Sequence, residues 1–215
     1  MTETATWSWV GLLALGGFHG LNPGMGWLFA VALGLQDRRR HTVWRAMAPL
    51  GAGHLLAVGA TILVALLAGA VTPLHSLRWP LAAVLIGLGF YRLYRHHHPR
   101  GGAGMRVGMG RLAWWSFLVA SSHGAGLMVL PLFLGLSATG EAASSHAGHS
   151  MPMDSQVTGL IATLVHSAGY LMATALAAWL VLEKFGLMVL RTAWINLDFI
   201  WVIALLASGA LTLLL

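Results

Sequence analysis

Long apolar runs separated by short polar or basic stretches set the rhythm of this chain. Read in order, they predict six helices, at roughly 8–35, 47–71, 78–95, 112–137, 157–183 and 194–214. Four windows exceed ~18 residues almost free of formal charge, the length that spans a hydrocarbon layer about 30 Å thick. The connections fall at 36–46 (QDRRRHTVWRA), 72–77, 96–111, 138–156 and 184–193, the last of them partly apolar. The expected fold is an all-α polytopic membrane protein, a single transmembrane domain over residues 1–215.

Charge orients the helices. Among the 12 Lys and Arg, Arg38, Arg39, Arg40, Arg45, Arg92, Arg95, Arg100, Arg106, Arg111, Lys184 and Arg191 all fall on one side, and only Arg78 on the other. Cations gather on the inner face of membrane proteins, so six spans put the N-terminus and C-terminus outside. Five or seven spans would scramble the pattern. The same bias accounts for the formal charge of +6, which in a soluble chain would suggest nucleic acid; no nucleic-acid partner is expected. With only 8% charged residues, the chain carries about a third of the charge of a soluble domain. Cysteine is absent, which excludes disulfides, iron–sulfur clusters and thiolate metal sites. Ahead of the first run stands Glu3 with no Lys or Arg, so the basic region of a secretory signal is missing and the first helix is expected to be retained. The lipid bilayer, expected to be a bacterial inner membrane, is the first partner.

The chain also repeats itself. "FHGLNPGMGWLF" in the first predicted helix is answered by "SHGAGLMVLPLF" in the fourth, with His-Gly, then Pro, then Leu-Phe. "GHLLAVGATILVALLA" in the second and "VHSAGYLMATALAAWL" in the fifth each set an early His among small residues, while the third and sixth are plain. Two halves of three spans, about 8–98 and 112–215, insert with opposite orientation because three is odd. The expectation is two inverted three-helix repeats, an architecture of secondary transporters that bind substrate near the midplane where the halves meet. Chance similarity between apolar helices is the alternative.

Candidate chemistry enters with the polar residues inside these runs. His19, His54, His123 and His166 fall within predicted spans, and at ~1.5 Å per residue His19 and His123 sit near the bilayer centre. An intramembrane ionisable group is costly and by default functional. A single neutral His is as well explained by an interhelical hydrogen bond of about 0.6 kcal/mol. Four of them, one in each of the first two helices of both halves, favour a common polar cavity, where imidazole serves as metal ligand or proton carrier. Pro23 adds a break. Its ring crowds the carbonyl four residues back, which belongs to His19, so the break is expected to release that carbonyl. Asn22 offers an amide oxygen and Gly20, Gly24 and Gly26 allow close backbone approach. Such irregular backbone is tolerated at membrane depth only when buried in protein or lining a cavity. A plain proline kink is the alternative. Gly51-Ala52-Gly53 and Gly124-Ala125-Gly126 read as helix-packing faces.

"HGLNPGMGWLFAVALGLQDR", from His19 to Arg38, resembles the first-helix motif of the NicO-type nickel/cobalt exporters, a branch of the LysE-like transporter superfamily. "PLGAGHLLAVG" is similar to their second helix, and "GLGFYRLYRHHHPR" to their third helix running into a His-rich loop. The resemblance covers about the first 100 residues, and the second half in outline. It implies a transporter fold, and with the polar residues inside the predicted spans the expected metal path runs through His19, Asn22, Met25, His54, His123 and His166. Asn22 stands where the family shows an acidic residue and Met25 where it shows a second His. A thioether suits Cu(I), whereas carboxylate and imidazole suit Ni(II) and Co(II).

Two connections are rich in ligands. In "SSHAGHSMPMDS" the outer loop offers His146, His149, Met151, Met153 and Asp154, a flexible capture or release site for copper, zinc, nickel or cobalt. Short exposed loops also gather such residues without binding anything. On the inner side His96, His97 and His98 stand beside Arg95 and Arg100, a metal sponge or an interfacial basic loop. Asp198, near the inner end of the sixth predicted helix, is expected to cap that helix or pair with Arg191. No nucleotide-binding loop or hydrolase constellation occurs, so neither an enzyme nor an organic cofactor is expected. Three functions remain: a transition-metal exporter for nickel, cobalt or copper, an accessory protein handing copper to a metalloprotein partner, and a LysE-like exporter of a small solute. Homo-oligomerisation stays open.

Overall fold

A computed structural model of the chain describes residues 3–70, 72, 74–94, 108–141, 153–185 and 197–214. Among these residues every regular element is helical and no strand occurs. The first helix, α1 (Glu3–Leu21), passes through a 3-10 turn (Pro23–Met25) into α2 (Trp27–Gln36). Next come α3 (Arg40–Gly69), a second 3-10 turn (Leu74–Leu77), α4 (Arg78–Tyr94), α5 (Met109–Ser122) and α6 (Ala125–Glu141). The chain ends with α7 (Met153–Leu180), which widens into a π-helical turn (Val181–Phe185), and α8 (Leu197–Leu214).

Polarity runs the opposite way to that of a soluble domain. Leu56, Leu63, Val64 and Leu67 of α3 and Leu160, Met172 and Leu176 of α7 are exposed, whereas His19, His54 and His166 are buried. Water tolerates apolar surface this extensive poorly, and lipid accepts it. Arg40–Gly69 and Ser155–Glu183 are each long and apolar enough to cross a membrane. The pair Met109–Ser122 and Ala125–Ser137, bent by 62°, makes a third if taken as one span. The chain is therefore all-helical with the character of a membrane protein.

Small residues bring the helices together. A Cβ at Gly16 would overlap the carbonyl oxygen of His166, one at Gly20 that of Tyr170, and one at Gly169 that of Leu13. α1 and α7 thus meet backbone to backbone, the close approach that small residues permit between membrane helices. α3 and α5 meet similarly: a Cβ at Gly53 would overlap the Ala113 carbonyl oxygen, and the Ser116 hydroxyl donates to the Leu50 carbonyl at 2.8 Å. α4 lies along α8, with Leu206 seated over Gly89 and Ile86 over Gly209. α3 also packs on α7, and α6 on α1, α3 and α7.

Several boundaries differ from the expected ones. The connection predicted at 36–46 shrinks to a tight turn, because α3 already begins at Arg40. Arg38 takes a left-handed φ of 53°, and Arg39 N–H donates to the Gly34 carbonyl at 3.0 Å while Arg38 N–H reaches Leu35 at 3.3 Å. This is the Schellman pattern of helix ends, usually built on glycine. Thr42, Val43 and Ala46 are buried, so the basic stretch is one face of a helix that continues beyond the apolar run. α6 and α7 likewise extend into the predicted 138–156 loop. The predicted first and fourth helices are each two helices. Of the two expected packing faces, Gly51, Gly53 and Gly126 do meet neighbours, but Gly124 (φ 73°) is itself the turn between α5 and α6.

Candidate functional site

The break after α1 is built from local sequence. Asn22 caps the 3-10 turn, its side-chain oxygen accepting from Gly24 N–H at 2.9 Å, with Pro23 as the first residue where no N–H is needed. Gly26 then turns at φ 145° and starts α2, a conformation that favours glycine. The carbonyl of His19 is not released by Pro23, as the sequence suggests: Asn22 N–H donates to it at 3.3 Å. The amide oxygen of Asn22 is likewise spent on the cap. Trp27 Nε1–H satisfies the last carbonyl of α1, Leu21, at 3.0 Å.

A second break follows α5. His123 ends the helix, Gly124 turns at φ 73°, and the orphaned carbonyls are taken by side chains from other helices. Arg92 donates to the Ser122 carbonyl at 2.7 Å and Trp201 Nε1–H to the His123 carbonyl at 2.9 Å. Backbone groups that find no water at membrane depth require such partners.

Three histidines gather beside the first break. The ring centroids of His19 and His54 are 5.8 Å apart, those of His19 and His166 5.1 Å, and those of His54 and His166 5.3 Å. They come from α1, α3 and α7, and each is at most 1% exposed. His19 Nδ1–H donates to the Leu15 carbonyl at 2.7 Å and His166 Nδ1–H to the Leu12 carbonyl at 3.2 Å. A carbonyl accepts only, so both rings carry the proton on Nδ1 and in the neutral form keep a lone pair on Nε2. The Nε2 atoms of His19, His54 and His166 are all buried without a hydrogen-bond partner. Buried polar atoms rarely go unpaired, and here three do so side by side.

Aromatic rings wall the cluster. Tyr170 stacks on His54 with centroids 3.9 Å apart and planes within 5°, and its hydroxyl donates to the Met25 carbonyl at 2.7 Å. Trp201 stands edge-on to His19 at 4.8 Å and stacks on Phe18 at 5.0 Å. Its other flank meets His123 at 5.4 Å.

The expected site residues therefore part company. His19, His54 and His166 come together, while His123 stands beyond Trp201. Asn22 serves the turn, and Met25 is buried in the apolar core, its carbonyl held by Tyr170. His96, His97, His98, His146, His149 and Met151 lie outside the described residues; Met153 and Asp154 begin α7, and Asp198 lies in the first turn of α8. The sequence reading passed over Tyr170 and Trp201. Tyr170 follows His166 by four positions, hence on the same helix face, and a buried indole N–H needs an acceptor, so both carried a signal.

Three imidazoles sharing one ion at a metal–nitrogen distance of ~2.0–2.1 Å have ring centroids roughly 5.2–5.5 Å apart, and the observed spacing brackets that range. The orientation does not match: His54 and His166 lie within 18° of parallel rather than turned to a common point. Accordingly, among the described residues no set of three His, Asp or Glu side chains stands in position to hold an ion. Compared with family models, curated proteins and solved structures, the chain matches none.

Proposed function

We propose that the chain is a secondary transporter of a transition-metal cation, an exporter in direction, with the ion passing His19, His54 and His166. The observation that carries this reading is the meeting of three buried imidazoles from three helices, each with an unpartnered Nε2. Most buried polar atoms find a partner, so three unpartnered ones together favour a ligand over packing. Imidazole Nε2 is the commonest transition-metal donor, and spacing suited to a shared ion with rings not yet turned toward it fits a site that loads and empties.

The packing supports the six-span, inverted-repeat frame. α1 lies on α7 as α5 lies on α3, that is, the first helix of each half on the second helix of the other. α4 lies on α8, third on third, and the Gly89–Leu206 contact becomes the Gly209–Ile86 contact when the two halves are exchanged. Both first helices break beside a His-Gly pair. The cation distribution favours termini on the outer face of a bacterial inner membrane, with protons or the membrane potential as driving force. The NicO-type resemblance of His19 to Arg38 is in keeping with this reading, although Asn22 and Met25 replace two of that family's ligand types.

The test is metal flux into proteoliposomes with nickel, cobalt, zinc and copper in turn. His54→Ala and His166→Ala should each abolish most of it; flux unchanged by both overturns the proposal. The same preparation separates the alternatives. An accessory protein would bind metal without flux, and a solute exporter would contain negligible metal.

A further inference from the structure

Resting on the metal reading above, we infer that the three-histidine chamber selects a soft monovalent ion, Cu(I) or its redox-inert analogue Ag(I), over divalent ions. The first argument is charge. The cost of burying an ion rises with the square of its charge, roughly fourfold from monovalent to divalent, so a divalent cation needs anionic ligands. The chamber offers three neutral imidazoles, walled by Tyr170, Trp201 and Phe18, and the side chain of Asp198 lies outside the described residues. Along the helices that supply the ligands, charged residues are distant. At about 1.5 Å per residue, Glu3 is ~24 Å from His19, Arg45 ~13 Å from His54, Asp154 ~18 Å and Glu183 ~25 Å from His166. Only Asp198 is near in sequence to a wall residue, one turn before Trp201.

The second argument is coordination. Ni(II) and Co(II) favour more numerous ligands, with oxygen among them, and Zn(II) seeks a fourth in a tetrahedron. Soft d10 monovalent ions are satisfied by two or three donors. Three buried, unpartnered Nε2 atoms from three helices, with the lone pair fixed on those of His19 and His166 by their Nδ1–H bonds, make a donor set of that number.

The experiment uses the purified full chain with His146, His149, Met151, Met153 and Asp154 replaced, so that the outer loop contributes no ligand. Ag(I), Ni(II), Co(II) and Zn(II) are offered singly and in competition, and retained metal is read by elemental analysis. We expect about one Ag(I) per chain, retention lowered at least tenfold in His54→Gln and His166→Gln, and no displacement by tenfold excess of a divalent ion. The glutamine variants keep a polar side chain of similar reach, and X-ray absorption of Cu(I)-loaded protein gives a readout independent of any cluster variant, expected to show nitrogen donors only. Divalent ions retained in preference to Ag(I) and lost in the same glutamine variants would overturn this inference while leaving metal transport standing. Divalent binding that disappears in Asp198→Asn would overturn it by placing a carboxylate in the site. Absence of any His-dependent metal would overturn both.

Discussion

Replacing Tyr170 by phenylalanine removes one oxygen and leaves the ring on His54. The lost group is the hydroxyl that donates to the Met25 carbonyl at 2.7 Å, in a residue with no exposed surface. Two magnitudes compete. A carbonyl stranded in hydrocarbon costs several kcal/mol, but interhelical hydrogen bonds in membrane proteins average about 0.6 kcal/mol and reach about 1.7. The smaller scale applies here, because Met25 closes a 3-10 turn next to Gly26 and its peptide can tilt to find another donor. Tyr170→Phe should therefore cost about 0.5–1.5 kcal/mol, a fall in Tm of about 1–6 °C for a chain of this size. The assay is thermal unfolding in detergent at one fixed scan rate, since such transitions are seldom reversible. Tyr170→Leu is the companion: it loses the hydroxyl and the ring stacked on His54, and should lower metal retention as well as Tm. Unfolding of Tyr170→Phe indistinguishable from wild type would refute the hydrogen bond. Equal loss of metal in both variants would refute a separate part for the ring.

Two other substitutions probe the frame. Gly16→Ala drives a methyl into the His166 carbonyl, whereas nothing lies within 4 Å of a Cβ at Gly17; the first should cost about 1–3 kcal/mol and Gly17→Ala should be neutral or slightly stabilising, both read as shifts in Tm. Glu183 pairs with Arg40 at 2.6 Å, but the two side chains are 33% and 75% exposed, so Glu183→Gln should cost under about 1 kcal/mol and less still in high salt.

The first break was legible because Pro23 has no N–H to give. The second was not: the turn rests on Gly124, and the only proline of that predicted helix, Pro131, lies seven residues further on inside α6. Histidine burial was legible from the apolar surroundings, but which histidines meet was not. Periodicity gives a face and not the rotation between two helices, so His166 and His123 could not be ranked by pattern. The chain's helix ends near Arg40 and Met153 were missed because charge marks where lipid stops, and a helix continues past that point when Thr42 and Val43 have something to pack on.

The glycine contacts along α1 and α7 bear on which parts of the molecule travel together. Where backbone touches backbone there is no layer of side chains to shear, and sliding one helix would drive Gly16 and Gly20 off the only positions that admit the carbonyls of His166 and Tyr170. α1 and α7 are keyed as one rod, and α3 and α5 are joined likewise through Gly53. Each rod draws one helix from either side of the connection at 95–107. These paired helices do not follow the two halves expected from the sequence, and His19 and His166 ride on one rod while His54 rides on the other. A relative motion of the rods would carry His54 past His19 and His166.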